Sequence, residues 1–413
     1  MDTATIAGTA EATSGEGSLL TARADTGLDP ESIALRVELV VDEEAFLNMG
    51  PTWNRLVDEA RIDHPFLRHE WVRTWWECFK PAGSLHIMVV MEGAEPIAIA
   101  PLMFDQGRVY GCAVRRLRGI ANIYTERFDL ILTRRAKEAC QAIWNFLAAQ
   151  ASTWDMLELR QIPENARAAE CLRFCAFEDH FLIGQWHSSD GPFVPVDQPW
   201  ESYVKTLSKK HLSNLRGRAK GLHRIGEVRH EIVTGGDQLS RAIDDAFLLE
   251  AAAWKAKAGT AIMNRPERLS FYRSLLTRAA EGGWLQLQFL SVEGKRIAVQ
   301  IALLVHNKLY ILKSGYDPQY APFAPSLLLC ELMLRDAWRR KLAEVDFLGD
   351  AERWKLEWTS RTRSHSWIFI FPDRMRNRLI HRFKFKLLPR IQNHPLYPIM
   401  KSAGRRFGLH LHE

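Results

Sequence analysis

Short apolar runs separated by polar turns recur along the chain, and two stretches are nearly alike. Residues 85–104 (LHIMVVMEGAEPIAIAPLMF) contain two apolar runs joined by a Glu-Gly turn, which predicts a β-hairpin. Residues 285–305 (LQLQFLSVEGKRIAVQIALLV) repeat this pattern. WDMLELRQIP at 154–163 and EVDFLGD at 344–350 also match, because each places an aspartate at the head of a short buried strand. An internal repeat with this spacing indicates a duplicated domain rather than a solenoid.

The second copy can be interpreted element by element in the order β-α-α-β-β-β-α-β-α-β. The pattern predicts strands at 227–233, 284–291, 296–305, 308–315, 344–348 and 365–371. It predicts helices at 237–257, 266–281, 326–341 and 351–358. The first copy has much of the same order, with strands near 36, 85, 96 and 155–160, one or two strands between 108 and 132, and helices at 43–61, 68–79 and 135–150. This order predicts an α/β fold with a mixed sheet.

Length and composition agree with two folded lobes. The chain has 413 residues, more than one ordinary core needs, and 47% of them are hydrophobic. Its start is rich in Ala, Thr, Gly, Ser and Glu, and contains too few large apolar groups to offset the entropy of ordering. We therefore predict a disordered tail at 1–33, a first lobe at 34–197, a second lobe at 198–373 and a basic C-terminal tail at 374–413.

The formal charge of +6 is concentrated in two segments. Residues 374–413 contain ten Lys or Arg and a single acid, Glu413. Their stretch RNRLIHRFKFKLLPR alternates basic and apolar residues, which suits an anionic membrane surface as well as a solvated helix. Residues 205–224 carry seven further cations and no acid. This second segment is either a solvated helix face or a docking face for an anionic substrate.

The cellular setting is constrained by what the sequence lacks. No window approaches the roughly 18 apolar residues of a membrane span, and the start of the chain has no apolar core of a signal peptide. The six cysteines form no C-x-x-C pair and no Cys/His metal spacing. We therefore expect a cytoplasmic protein with reduced cysteines and no metal, peripheral at the inner membrane face if the basic tail binds lipid.

Five motifs, in this order along the chain, resemble the GNAT acyltransferase fold in tandem. They are HPFLRHEWVRTWW at 64–76, PIAIAPL at 96–102, SKKHLSNLRGRAKGLHRIG at 208–226, EGKRIAVQIALLVHNKLYILKSGYDP at 293–318 and VDFLGDAERWKLEW at 345–358. The duplication is similar to that of cellulose-biosynthesis-type (CelD/BcsL) acetyltransferases, which are related to the Fem peptidyltransferases of cell-wall synthesis. The resemblance covers about residues 36–372. It implies an N-acyltransferase that moves an acyl group from acyl-CoA to an amine of a polar acceptor, such as an aminosugar or a polysaccharide precursor.

The resemblance also implies where the donor, acetyl-CoA or another acyl-CoA, would bind. In this fold the strands KLYILKSGY and VDFLG lie parallel and splay apart, so that free backbone groups can bind the pantetheine arm. The pyrophosphate would meet the start of the next helix, where unpaired N–H groups favour anions. The implied donor-binding residues are Ser314, Gly315, Pro325, Ser326 and Leu327. The family usually has glycine where this chain has Ser326. The serine side chain narrows the loop, and this difference also favours a donor that binds in another way.

Lys355, Asp350 and Tyr316 are the implied catalytic residues. Lys355 matches the lysine of the family's Phe-Lys or Tyr-Lys motif, although Trp354 precedes it here, and it would stabilise the oxyanion or the acceptor. Asp350 would orient or deprotonate the amine, and Tyr316 would protonate the leaving thiolate. Without the resemblance, the same stretch indicates a surface lysine and a helix cap.

Four residues are candidates for acceptor binding: Asp129, Trp71, Trp354 and Lys313. Asp129 lies in an apolar stretch, where an acid needs either an acceptor or a buried hydrogen bond. Trp71 has helical spacing with Trp75 and Trp76, which is also typical of a core. Trp354 stands one turn from Trp358, so the two form either a packed edge or a stacking surface for a sugar.

Two further functions remain open. A Fem-like transferase that uses aminoacyl-tRNA is favoured by the cations between 205 and 224, because nucleic-acid binding depends on Lys and Arg contacts to phosphate. A non-catalytic scaffold for a polysaccharide synthase would use the basic tail to bind an anionic membrane.

Overall fold

The computed structural model of the chain describes residues 21–23, 34–80, 82–252 and 261–392. A fourteen-stranded mixed sheet runs through these residues. Its strands are β1 Thr21–Arg23, β2 Leu35–Val40, β3 Gly83–Glu92, β4 Glu95–Val109, β5 Cys112–Gly119, β6 Ile131–Leu132, β7 Met156–Pro163, β8 Leu182–Pro195, β9 Val228–Val233, β10 Leu285–Val292, β11 Lys295–Val305, β12 Lys308–Tyr316, β13 Glu344–Asp346 and β14 Thr362–Phe371.

Helices cover the sheet and connect its strands. They are α1 Glu43–Asn48, α2 Gly50–Glu59, α3 His69–Phe79, α4 Ala136–Ala149, α5 Arg167–Glu178, α6 Trp200–Thr206, α7 Lys209–His223, α8 Leu239–Ala252, α9 Pro266–Glu281, α10 Pro325–Arg339, α11 Arg353–Leu356, α12 Met375–Arg382 and α13 Leu388–Gln392. Within the described ranges, none of these helices is long and apolar enough to span a membrane.

The same order of elements occurs twice. The hairpin β3-β4 of the first lobe corresponds to β10-β11 of the second, and β5 corresponds to β12. In each lobe the next long helix, α4 or α10, leads to a strand that returns parallel, so that β5 pairs with β7 and β12 pairs with β13. The predicted α/β fold with a mixed sheet and a tandem duplication is therefore confirmed.

The two lobes exchange their last strands. β14, which follows the second copy, pairs with β7 of the first lobe, and β8, which follows the first copy, pairs with β13 of the second. β8 and β14 also pair with each other along the whole of β14. The sheet therefore continues across the predicted boundary at 197 and 198, which itself stays a prediction.

A shared core joins the lobes beside this exchange. Trp71 of α3 contacts Phe271 of α9 edge to face, with ring centroids 5.4 Å apart. Arg278 of α9 forms an ion pair of 2.7 Å with Glu77 of α3. One continuous cluster of buried apolar side chains contains residues of both lobes. The lobes thus pack through α3 and α9, the same helix of each copy.

Several boundaries differ from the predicted ones. The predicted helix 43–61 is two helices, because Pro51 at the start of α2 lacks the N–H group that would continue α1. The predicted helix 351–358 is only the single turn α11. The predicted helix 237–257 is described as α8, and its residues from 253 onward lie outside the described residues.

The predicted tails are partly folded. Residues 1–20, 24–33 and 393–413 lie outside the described residues, whereas Thr21–Arg23 pair with β2. Among the described residues, the basic segment consists of α12, a π-helical turn at Phe383–Leu387 and α13. Residues 375–392 are therefore helical and folded, and the predicted limits of the two tails stay predictions.

Candidate functional site

A cavity of about 620 Å³ opens where β12 and β13 diverge. The two strands pair only over Lys308–Tyr310 and Glu344–Asp346. β12 then continues along β11 to Tyr316 without β13. Within the described part of the chain, no strand pairs with this edge of β12 at the cavity, as the resemblance implied.

Local backbone features cause this divergence. The register between β11 and β12 shifts at Ile301, so that Leu312 is an extra residue in a β-bulge, which bends the strand. On the other side, Leu348 and Gly349 both have left-handed φ angles, of 54° and 59°, and turn the chain away after β13. Gly315 allows β12 to lie close to α8, because a Cβ atom there would stand 2.4 Å from the Cα of Glu250.

The first turn of α10 lies at the edge of the cavity. Ser326 and Leu327 line it, and Pro325 is buried at the first helical position, where its missing N–H is no loss. Ala324 caps the helix in a left-handed conformation with a φ of 45°, and no side chain caps the first turn. An uncapped helix start favours a negatively charged group.

Lys355 holds the loop that follows β13. Its Nζ donates hydrogen bonds to the carbonyl oxygens of Leu348 (2.8 Å) and Asp350 (3.0 Å), and the residue is only 7% exposed. Burial lowers the pKa of Lys355, while Glu352 acts in the opposite direction. Nζ would lie 3.3 Å from a Cβ atom at position 349, so Gly349 leaves room for the ammonium group. The alternative of a surface lysine is therefore wrong.

The first lobe contributes an acid to this cavity that the sequence analysis did not single out. Glu126 lines the cavity, and burial raises the pKa of its carboxyl group, although Lys313 and Lys355 act in the opposite direction. The neighbouring Arg127 anchors this segment to the second lobe. Its guanidinium forms a buried ion pair with Asp346 of β13 and lies 5.5 Å from the ring centroid of Tyr310.

A second acid reaches the cavity from α8. Glu250 is fully buried, and its Oε2 accepts a hydrogen bond of 2.8 Å from the backbone N–H of Ile262. Glu126 and Glu250 are far apart in the sequence, and they line the same cavity only when the lobes pack. For Glu126, the signal in the sequence was limited to its position between the aromatic residues of YTERFDLIL.

The cavity brings together most residues of the predicted site. Those that line it are Lys313, Ser314, Gly315, Tyr316, Ser326, Leu327, Asp350, Trp354 and Lys355. Asp350 is exposed, and Trp354 is half-buried against Phe347, with ring centroids 5.6 Å apart. Their chemical roles stay predictions.

Trp71 and Asp129 do not line the cavity, which corrects their assignment to acceptor binding there. Trp71 is fully buried, and its Nε1 donates a hydrogen bond of 3.2 Å to Oγ1 of Thr125. Its helical spacing with other tryptophans therefore reflects core packing. Asp129 accepts a hydrogen bond of 2.9 Å from the backbone N–H of Leu130, and burial raises its pKa to about 7. This acid in an apolar stretch is satisfied by backbone groups.

The corresponding cleft of the first lobe is filled by the chain itself. β5 and β7 pair over Arg116–Arg118 and Met156–Glu158, as β12 and β13 do in the second lobe. Beyond these pairs, the backbone N–H of Phe128 donates to the carbonyl of Gln161 at 3.0 Å. The Phe128 ring lies on Gly119, where a Cβ atom would be 2.6 Å from it. The segment that closes this cleft is the one that delivers Glu126.

A basic surface adjoins the cavity. A second hollow of about 580 Å³ is lined by Lys210, Arg218 and Arg353, and it shares Leu327 and Trp354 with the cavity. Among the described residues, the seven Lys and Arg between 205 and 224 form no ion pair, and on α7 Nδ1 of His211 lies 3.2 Å from a carboxylate oxygen of Glu357. This surface is therefore available to an anionic group.

The site as described combines an uncapped helix start, a strand edge that no described strand pairs with, buried acids and a lysine. These groups can bind an anion, position an amide-bearing chain and transfer a proton. Within the described part of the chain, no cluster of three or more His, Cys, Asp or Glu is arranged to hold a metal ion.

Comparison with protein families identifies the segment that forms this site. Residues 209–356 match the family model described as "Acetyltransferase (GNAT) domain". The matched segment, which is similar to this family, includes the diverging strands, α10 and Lys355. No curated protein matches the chain.

Solved structures extend the likeness to most of the chain. The structure titled "Crystal structure of FemX" is 12% identical, with a TM-score of 0.53 over 82% of this chain and 97% of that chain, and it shows a shared fold. The C-terminal domain of a putative lysylphosphatidylglycerol synthetase from Agrobacterium fabrum is 12% identical, with a TM-score of 0.49 over 82% and 95%. A tandem GNAT protein from the clavulanic acid biosynthesis pathway is 12% identical, with a TM-score of 0.43 over 81% and 98%.

Proposed function

We propose that the second lobe transfers an acyl group from an acyl-CoA thioester to an amine. The observation that carries this proposal is the cavity between the diverging β12 and β13, with the uncapped start of α10 at its edge. The edge of β12 beyond its pairing with β13 would bind the pantetheine arm as an added strand does. The first turn of α10 would bind the pyrophosphate.

The acceptor in this proposal is the amine of a polar molecule, such as an aminosugar or a precursor of a polysaccharide or the cell envelope. Four carboxylates line the cavity and would attract an ammonium group: Glu126, Glu250, Asp350 and Glu352. A protonated amine must lose a proton before its nitrogen attacks the thioester carbonyl carbon. An acid whose pKa is raised by burial is suited to take that proton, which favours Glu126 over the exposed Asp350.

The remaining steps use residues of the second lobe. As the carbon–sulfur bond breaks, the thiolate takes a proton, and Tyr316 on the cavity wall is the proposed donor. The positive charge of Lys355 would stabilise the negative charge that develops on the carbonyl oxygen. Because its Nζ also binds two backbone carbonyls, Lys355 would position the loop as well.

The proposal is tested by the thermal stability of the full-length protein with acetyl-CoA. A ligand at 100 times its dissociation constant stabilises a folded protein by about 2.7 kcal/mol. Ser326→Glu should abolish the rise in Tm, because it places an anion at the proposed pyrophosphate position. Ser240→Glu is the matched control, since it places the same charge in the first turn of α8, away from the cavity. No rise with acetyl-CoA or longer acyl-CoA would contradict the proposal.

A second candidate is a Fem-like transfer from aminoacyl-tRNA. It is favoured by the basic surface next to the cavity, where Lys210 and Arg218 have no acidic partner among the described residues. Such a complex would weaken steeply with salt, because each phosphate contact releases counterions. A salt-dependent complex with tRNA, together with no response to acyl-CoA, would select this candidate. A chain that binds neither donor would fit the non-catalytic scaffold instead.

A further inference from the structure

The helical segment Met375–Gln392 has an inner face that is fixed to the sheet. Ile380, Lys384 and Leu388 on this face are buried, with 5%, 4% and 2% of their surface exposed. His381 adds a hydrogen bond of 2.9 Å between its Nε2 and the carbonyl oxygen of Ile183. The segment is therefore held in one orientation on β8.

Aromatic contacts complete this attachment. Nζ of Lys384 lies 3.9 Å from the ring centroid of Trp186 and 4.4 Å from that of Phe369. The Phe385 ring covers Gly184 so closely that a Cβ atom there would be 2.1 Å from it. Since Trp186 and Gly184 belong to β8 and Phe369 to β14, the segment covers the two exchanged strands.

The outer face has the opposite character. It exposes three large apolar side chains, Met375 (74%), Leu379 (62%) and Leu387 (47%). The same face exposes five cations: Arg376, Arg378, Arg382, Lys386 and Arg390. No acid occurs between 374 and 392.

Only part of this positive charge is balanced by the protein. Arg376 lies 3.8 Å from Asp155, and Arg378 forms an ion pair with Asp373. Within the described ranges, Arg382, Lys386 and Arg390 have no acidic partner. Three cations and three exposed apolar groups therefore face solvent together on a helix whose other side is anchored.

We propose that the outer face of Met375–Gln392 binds an anionic membrane surface. Interfacial helices use apolar side chains that enter the acyl boundary and cations that attract acidic headgroups. Nucleic acid would use the cations but leave the exposed apolar side chains without a partner. The segment would lie in the plane of the membrane, because its inner face is bound to the sheet. This inference does not depend on the proposed acyl transfer.

The attachment determines how the proposal has to be tested. Deleting residues 374–413 would uncover Trp186 and Phe369 and damage the fold, so exposed side chains must be changed singly. Vesicles of phosphatidylcholine alone are compared with vesicles of equal parts phosphatidylcholine and phosphatidylglycerol. The full-length protein should sediment with the anionic vesicles and not with the neutral ones.

Two triple variants separate the contributions to binding. Arg382→Gln/Lys386→Gln/Arg390→Gln should weaken anionic-vesicle binding on the order of 100-fold, because each cation near such a surface contributes about 1 kcal/mol. Met375→Ser/Leu379→Ser/Leu387→Ser should weaken it by at least about tenfold, because apolar burial is lost. Both variants should keep the Tm of the wild type, since all six side chains are exposed.

Two matched controls remove the same groups elsewhere. Lys205→Gln/Lys209→Gln/Arg216→Gln removes three exposed cations of the other basic segment, and Phe174→Ser/Phe177→Ser removes exposed apolar groups of α5 (65% and 68%). Both controls should bind the anionic vesicles as the wild type does. Equal losses in the controls, or loss in the cation variant alone, would overturn the proposal. So would a wild type that binds an RNA duplex but not the anionic vesicles.

Discussion

Glu126 and Lys355 line the same cavity from different lobes, and burial favours the neutral form of each side chain. The pKa of the acid is raised, and that of the lysine is lowered. In the proposed reaction, a carboxylate of raised pKa is a stronger proton acceptor than an ordinary carboxylate. We therefore expect the proposed transfer to depend on how tightly the lobes close around these two side chains.

Glu126→Gln should lower kcat/KM by about 10²- to 10⁴-fold, because the variant cannot accept the proton. It should also remove the acidic limb of the pH–rate profile. Because the folded-state pKa is raised, the stability contribution of Glu126 is present below its unfolded pKa and is lost as pH rises through the folded value. Tm should thus fall less with rising pH in the variant. Glu267→Gln, at an exposed site on α9, is the control, and an unchanged kcat/KM in Glu126→Gln would remove Glu126 from the chemistry.

Asp129 makes a separate pH prediction, because it lies outside the cavity. Its pKa rises from 3.8 to about 7, so its stability contribution is complete below pH 3.8 and is lost as pH rises through about 7. Asp129→Asn keeps the acceptor for the Leu130 N–H and removes the titration. The wild type should lose a few kcal/mol more than the variant between about pH 5 and 8. Parallel curves of Tm against pH would show that Asp129 is solvated.

Lys355→Ala should affect both stability and rate. Removing Nζ leaves the Leu348 carbonyl without this donor, while the Asp350 carbonyl keeps the Glu352 N–H, and stability should fall by about 1–3 kcal/mol. If the lysine also stabilises the oxyanion, kcat/KM should fall by about two orders of magnitude or more at a matched folded fraction. A lower Tm with unchanged kcat/KM would limit Lys355 to positioning the loop.

Among the elements, β12 leaves no room for a larger residue at Gly315, because it packs directly on α8. Gly315→Ala would place a methyl group 2.4 Å from the Glu250 backbone and should destabilise the protein by about 1–3 kcal/mol. It should also weaken donor binding, since the strand edge would move. Gly217→Ala on α7 is the matched control, because nothing lies within 4 Å of its Cβ position, and it should stabilise by about 0.5–1 kcal/mol. Equal melting temperatures would mean that β12 can shift away from α8.

Predictability from the sequence also differs between elements. α9 was predicted to its end residues, because its amphipathic pattern is local. β8 was not predicted, because LIGQWHSSDGPFVP has no sustained apolar pattern and is stabilised by pairing with β13 and β14. The cavity residues on β12, α10 and α11 came from contiguous motifs. Glu126 and Glu250 were missed, and Trp71 was misassigned, because their positions depend on how the lobes pack.

For the whole molecule, the exchange of β8 and β14 makes the lobes interdependent. Cutting the chain at 197/198 would separate β8 from β13 and β14 from β7. We expect each half to be unfolded alone and the intact chain to unfold in one calorimetric transition, with equal calorimetric and van't Hoff enthalpies. Two separate transitions, or a soluble half with native-like circular dichroism, would show that the lobes are independent domains.

Phe128 has a consequence for the number of donors that one chain can hold. Because its ring occupies the cleft between β5 and β7, this cleft of the first copy is closed, whereas the corresponding cleft between β12 and β13 is open. The expected stoichiometry is one donor per chain, although the architecture contains two copies. The segment that closes the first cleft also forms part of the wall of the second. Just before Phe128, Glu126 lines the cavity and Arg127 pairs with Asp346 of β13.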